Sequence, residues 1–214
     1  MLDDNDTSYS PFEERKPTEV PSIFLSSDAG GASSAERGTA THQFLQFCDF
    51  RFARENGVDA MLKLLIEKRF IPAEFESLIY KKEITRLLRS KFCDDILSAS
   101  SVIRERRFNI LLPASNFTED EILREQISNE MIAVQGVIDL ILIGADGSIG
   151  LFDYKTDRLT REELSDDALA TAKMKQAHGE QLRYYAEAIK QLFGKYPDTV
   201  AIYSTCAAKL YALK

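Results

Sequence analysis

MIAVQGVIDLILIGADGSIGLFDYKT, residues 131–156, places two apolar runs rich in β-branched residues on either side of Ala145-Asp146-Gly147. Such runs flanking a Gly-bearing turn predict a β-hairpin. Two aspartates interrupt it, Asp139 in VIDLILI and Asp153 in GLFDYK. Asp is disfavoured in strands, and an ionised carboxylate is costly to bury unless it is paired or bound to metal. On neighbouring strands, two such groups can hold a hard divalent cation through oxygen ligands. Lys155, two residues after Asp153, projects to the same strand face.

Register decides whether these side chains meet. A two-residue loop sets Asp139 against Tyr154 and sends the aspartates to opposite sides of the sheet. A three-residue loop pairs Gly144 with Ser148, sets Asp139 opposite Asp153 and Lys155 opposite Val137, and gathers them on one face. Gly147 suits the left-handed position of that loop. The three-residue loop is the expectation.

Upstream, SVIRERRFNILLP predicts a strand at about 101–112, and NFTEDEILREQISNE reads as a polar connection. Ser33 or Ser34 N-caps a helix running to about Arg54, with Ala40, Phe44, Phe47, Cys48 and Phe52 at helical spacing. Two or three packed helices follow from Val58 to about Leu97, one of them starting at Pro72. Downstream, 160–177 is charged and helix-prone. AHGEQLRYYAEAIKQLFGKYP is then an amphipathic helix stopped by Gly194 and Pro197, and TVAIYST and KLYAL supply final strands. Helices, strand, hairpin, helix, strand make a mixed α/β domain. Residues 1–32, with Pro11, Pro17, Pro21 and SSDAGGASS, read as an extended tail or linker. The remainder divides into a helical part, 33–99, and an α/β core, 100–214.

Composition excludes some classes. With 214 residues, 44% hydrophobic and 29% charged, the chain is neither membrane-spanning nor disordered as a whole. No run approaches the roughly 18 apolar residues of a membrane helix, and the first residues lack a basic, then apolar, signal pattern. Cys48, Cys93 and Cys206 form no CxxC, which argues against a cysteine-rich metal site or a disulfide scaffold and fits a reduced cytoplasm. A net charge of −7 is unfavourable for binding nucleic acid. The acids are clustered, however, at 3–6, 13–14, 119–121 and 162–167, and Arg104-Glu105-Arg106-Arg107 stands apart from them. No GxxxxGK[ST] stretch offers an ATP site.

GVIDLILI…DGSIGLFDYKTD, followed by a helix bearing QLRYY, resembles the PD-(D/E)XK nuclease superfamily, and more narrowly its RecB-type domain. ERGTATHQFLQF, with its GTxxH, is similar to the first motif of the same family. The order GTxxH, Arg-Glu-rich strand, GxIDL, DYKT, QxxxY most resembles the C-terminal nuclease domain of the AddA family of helicase–nucleases, from about Glu36 onward. The resemblance implies a restriction-endonuclease-like mixed sheet flanked by helices, preceded by a helical subdomain. It implies that Asp139 and Asp153 are the metal-binding acidic pair, that His42 completes the site, and that Lys155 positions and activates the attacking water. Gln181 and Tyr185 match the residues lining the catalytic pocket, and Glu105 the acidic position of the preceding strand. The implied cofactor is Mg²⁺, with Mn²⁺ as a substitute. The implied substrate is DNA, as a single-stranded end. The implied partners are an AddB-type protein and a helicase portion outside this chain, in a bacterial cytoplasm.

Independently of the family, Gln181 and Tyr185 are four apart and share a helical face. Gly38, one turn before His42, leaves room for another segment to approach. His178 rivals His42 as a ligand but reads as a loop or N-cap residue. Arg104, Arg106 and Arg107 read equally as a solvated face or as phosphate contacts. Two alternatives stand beside the helicase-linked nuclease: a stand-alone RecB-like nuclease, and a catalytically silent scaffold that binds DNA or a partner. Relatives carrying an iron–sulfur cluster use four cysteines, which this chain lacks.

Overall fold

A computed structural model of the chain describes residues 33–213, so the expected tail at 1–32 lies outside the described residues. The fold is mixed α/β, a five-stranded sheet in the order β1-β2-β3-β4-β5 with helices on both faces. The strands are β1 (Ser101–Pro113), β2 (Met131–Ile143), β3 (Ile149–Lys155), β4 (Thr199–Ser204) and β5 (Lys209–Ala212). Only β3 and β4 run parallel; the other neighbours are antiparallel.

Helices α1 (Ser34–Phe47), α2 (Phe50–Asn56), α3 (Val58–Glu67), α4 (Lys81–Leu88) and α5 (Lys91–Ser98) precede the sheet and cover one face. Ser33 and Glu36 form a reciprocal capping box at the start of α1. The single helix expected to Arg54 is instead two. Cys48 is extended, and the Asp49 carboxylate accepts the Phe52 N–H at 3.0 Å, starting α2. The helix expected from Pro72 is also broken. A 3₁₀ turn at Ala73–Ser77 ends before Tyr80, whose N–H goes to the Thr41 hydroxyl, and Ser90 then caps α5.

Between β1 and β2 the polar connection folds as a 3₁₀ turn, Ala114–Phe117, and a short α6 (Glu121–Gln126) capped by Asp120. The crossover from β3 to β4 carries α7 (Arg161–Ser165) and α8 (Asp167–Phe193). The α8 helix begins well before the expected Ala177, because the Asp166 carboxylate accepts the N–H groups of Ala168 and Leu169. It stops at Gly194, whose φ of 78° is the left-handed cap glycine permits. Among the described residues no helix is long and apolar enough to cross a membrane.

The hairpin has the expected three-residue loop: Gly144 N–H donates to Ser148 C=O, and Gly147 sits at φ 78°. Pairing runs from Ile143↔Ile149 to Leu140↔Phe152 and stops there. One more step of this register sets Asp139 opposite Asp153. The expected pairing of Lys155 with Val137 is not made; Lys155 pairs with Ser204 of β4, so β2 and β3 part at Asp139.

β2 also changes face at this point. After Asp139, Leu140 and Leu142 pack on α1–α5 and Ile141 packs on α8; before it, the α8-facing residue is Ile138. β1 inverts in step: Ile103 leans toward the α8 core, then Phe108, Ile110 and Leu112 do. The inversion in β1 spans Glu105, whose φ is 49° and which is absent from the ladder while Arg104 and Arg106 remain paired. A non-glycine left-handed residue carries about 1–2 kcal/mol of strain. The two strands thus turn together, with Glu105 and Asp139 at the turning point.

Past the turn, β2 presents Gly136 to Phe108 and Tyr185. A Cβ there would meet the Phe108 ring at 2.7 Å. That ring is pinned edge-on against Tyr185, centroids 5.6 Å apart. Gly136→Val is therefore expected to destabilise the fold by about 1–3 kcal/mol. An unchanged urea-unfolding midpoint would show that the ring yields freely.

The thiols give a second prediction. Cys48 and Cys93 are fully buried and Cys206 is half-exposed. Burial pushes the Cys48 thiol up to about 12 from 9.0. Native protein should expose one reactive thiol to Ellman's reagent and three after denaturation. A folded-state pKa above the unfolded one means that the fold holds the proton more tightly. That stability is intact below pH 9 and is lost at about 1.4 kcal/mol per pH unit toward pH 12. A melting temperature flat across this range would count against the burial argument.

Candidate active site

The parting of β2 from β3 opens the sheet where the acidic residues stand. Asp139 Oδ2 accepts the Tyr154 backbone N–H at 2.9 Å, spanning the gap with its side chain. The same oxygen is 3.5 Å from His42 Nδ1, which α1 brings over the sheet. The capping box fixes the start of α1. At its other end, Arg104 Nη1 donates to the Cys48 and Gln46 carbonyls at 2.7 and 3.3 Å. These are carbonyls a helix end leaves unpaired. Arg104, read as solvated face or phosphate contact, is thus a structural tie, with Phe50 beneath its guanidinium. Arg106 and Arg107 are exposed.

Asp153 is 1% exposed and faces Lys155, Nζ to Oδ2 2.8 Å. Lys155 also donates to Gln181 Oε1 at 3.1 Å, and Gln181 Nε2 donates to the Tyr185 hydroxyl oxygen at 2.6 Å. The four-residue spacing expected on α8 therefore places both residues against the lysine. Burial, reinforced by the Asp139 charge and opposed by Lys155, holds the Asp153 carboxyl above the usual carboxylate range. Burial and then Asp139 do the same to Glu105, and Arg107 opposes. Burial pushes the Tyr185 phenol up to about 12.

All seven expected site residues converge on this region, but from two faces. His42 reaches Asp139 from the α1 side, while Lys155, held by Gln181 of α8, meets Asp153. A cleft of about 550 Å³ on the α1 side is lined by His42, Gln43, Gln46, Glu105, Asp139 and Thr156. Gly38 lies at its edge, where a Cβ would stand 3.0 Å from the Thr156 hydroxyl oxygen, so the expected close approach is made by this loop side chain. His178 departs from expectation. It lies inside α8, not at a loop or cap, with Nε2 3.3 Å from Asp157 Oδ2. Gln43, Gln46 and Thr156 are cleft residues with no sequence signal beyond their nearness to His42 and Lys155.

Among the described residues no three His, Cys, Asp or Glu side chains are grouped as a ready metal cage. The donor chemistry nonetheless suits a hard divalent ion: two carboxylates and an imidazole. The buried Asp153 carboxylate, whose Oδ2 is 2.8 Å from the Lys155 ammonium, has lone pairs beyond that contact to offer a ligand.

A mixed sheet opened at an acidic pair, with a lysine beside it, defines a class of site suited to metal-assisted hydrolysis. No protein-family model matches the chain. Curated ATP-dependent helicase/nuclease proteins of the AddA type do match it. Identity is 31% over 199 residues to that of Clostridium botulinum strain Okra, covering 91% of this chain and 14% of the relative. It is 30% over 199 residues to that of strain Kyoto, with the same coverage. It is 32% over 197 residues to that of strain Alaska E43, covering 90% and 15%. The chain spans about one seventh of the length of these relatives and is homologous to a segment of the AddA helicase/nuclease.

Proposed function

We propose that this chain is a divalent-metal-dependent deoxyribonuclease, hydrolysing DNA phosphodiester bonds from a single-stranded end. It acts as the nuclease domain, 33–214, of an AddA-type helicase–nuclease in recombinational repair of double-strand breaks. The observation that carries this reading is the continuous chain Asp153–Lys155–Gln181–Tyr185 beside His42–Asp139. His42, Asp139 and Asp153 would hold Mg²⁺ or Mn²⁺. Such an ion, when bound, polarises a phosphate and lowers the pKa of its water.

The protein's own groups divide the remaining work. Lys155, steered by Gln181, aims its ammonium at the mouth of the acidic pair, where it orients water and stabilises charge developing on phosphate. Tyr185, kept protonated by burial, fixes Gln181. Glu105 adds a third carboxyl at the cleft, suited to accepting a proton from the attacking water. The helicase portion, ATP use and an AddB-type partner belong to the same reading, as does a bacterial cytoplasm. A silent scaffold is disfavoured because the acidic pair and its lysine are all in place.

The test is single-stranded DNA labelled at either end, incubated with Mg²⁺. Cleavage that EDTA abolishes supports the reading, and the ladders give polarity. Folded protein that neither cleaves DNA nor takes up Mn²⁺ sinks it.

A further inference from the structure

Beside the site lies an aromatic arrangement that the chemistry above does not use. Phe117, at the end of the 3₁₀ turn after β1, stacks on Tyr184 of α8, with centroids 5.5 Å apart and planes at 17°. Arg183 lies over the Tyr184 ring at 4.9 Å, and the Tyr184 hydroxyl donates to Glu180. Phe117 is 40% exposed, far more than packing against Tyr184 requires. It is held in place nonetheless. Ala114 N–H binds Glu130 C=O, and Arg124 grips the Thr118 carbonyl at 2.8 Å.

Position gives the pair its meaning. Tyr184 is three residues from Gln181, which touches Lys155, and i,i+3 side chains stand ~5–6 Å apart. The ring stack therefore begins one helical turn from the residue that holds the lysine. Exposed Arg106 shares a strand face with Phe108, whose ring touches Tyr185, so a cation flanks the same path.

We infer that Phe117, backed by Tyr184, is a stacking platform for a base of single-stranded DNA next to the scissile phosphate. This rests on the nuclease reading above. A flat ring accepts any unpaired base but not a base within a duplex, so the platform selects single strands without reading sequence. The surroundings are acidic. Glu119 and Glu121 are exposed near Phe117, Asp120 caps α6, and Glu180 is paired with Arg183. Stacking, not phosphate neutralisation, must then supply the affinity. Even if Arg106, Arg183 and Lys155 each neutralise one phosphate, the log–log salt slope is only about −2.1.

The chain contains no tryptophan, so Phe117→Trp creates a single reporter on the platform. Titration with a short oligothymidylate, in EDTA and again in Ca²⁺, should quench that emission saturably, whereas a blunt duplex should not. Phe117→Ala should weaken oligonucleotide binding by on the order of 10-fold to 100-fold in fluorescence anisotropy, and Phe117→Tyr should restore it. Saturable anisotropy without quenching, or an unaffected Phe117→Ala, overturns the platform and leaves the nuclease reading intact. Absence of both binding and cleavage in the wild-type chain overturns the reading, and the platform with it.

Discussion

Asp153→Asn is expected to abolish DNA cleavage and, in EDTA, to raise the melting temperature. Asp153 is almost wholly buried, with the Lys155 ammonium 2.8 Å from its Oδ2. Burial and the facing Asp139 hold its carboxyl above the ordinary range, so its charged form is disfavoured in the fold. Asparagine keeps the shape, removes the repulsion and brings an amide that can donate toward Asp139. Lys155 keeps Gln181 and its access to water. Each ~1 kcal/mol recovered should raise the melting temperature by about 2–4 °C in a chain of this size. Loss of a ligand carboxylate should lower cleavage by on the order of 10²-fold or more. A variant that is inactive and less stable would contradict the electrostatic account. One that remains active would remove Asp153 from the site.

Much of this site is legible from residue chemistry, because charged groups in apolar strands are rare. Asp139 and Asp153 stand out in VIDLILI and GLFDYK, and a glycine at the third loop position sets their register. That register is what the hairpin adopts. The sequence could not reveal that β2 and β3 separate at Asp139, since the separation depends on a turn shared with β1. Glu105 holds its left-handed backbone only because its neighbours on both sides stay paired. The Ser33 cap is legible, but two helix limits depart from expectation where an aspartate takes backbone donors. Asp49 splits one expected helix, and Asp166 lengthens another past His178. Such caps are local hydrogen-bonding choices, and an apolar periodicity that runs through them hides them. The Arg104 tie is invisible for another reason: the carbonyls it holds lie more than fifty residues away in the chain.

Lys155→Met should show how far the acidic site depends on the cation that touches Asp153. Lys155 is the ion-pair partner of Asp153, and methionine preserves the stem while removing the charge. The buried carboxylate is then uncompensated, and breaking such a pair by removing one partner costs about 3–5 kcal/mol. The loss is bounded by protonation. Asp153 already sits above the usual carboxylate range through burial and Asp139, and without Lys155 the opposing influence is gone. A carboxyl raised in the fold is bound to its proton more tightly there than in the unfolded chain. Its contribution is therefore intact at acidic pH and falls as pH rises from about 4 through the raised folded value. Lys155→Met should approach wild-type stability near pH 4 and diverge from it toward pH 8, measured by urea unfolding in EDTA. Combining it with Asp153→Asn should cancel most of the deficit, because the double variant buries neither charge. A deficit independent of pH, or untouched by Asp153→Asn, would mean that Lys155 stabilises the fold through its stem packing and its bond to Gln181. Cleavage should be lost in both variants, so stability and activity part company: one substitution strengthens the fold, the other weakens it, and neither leaves a nuclease.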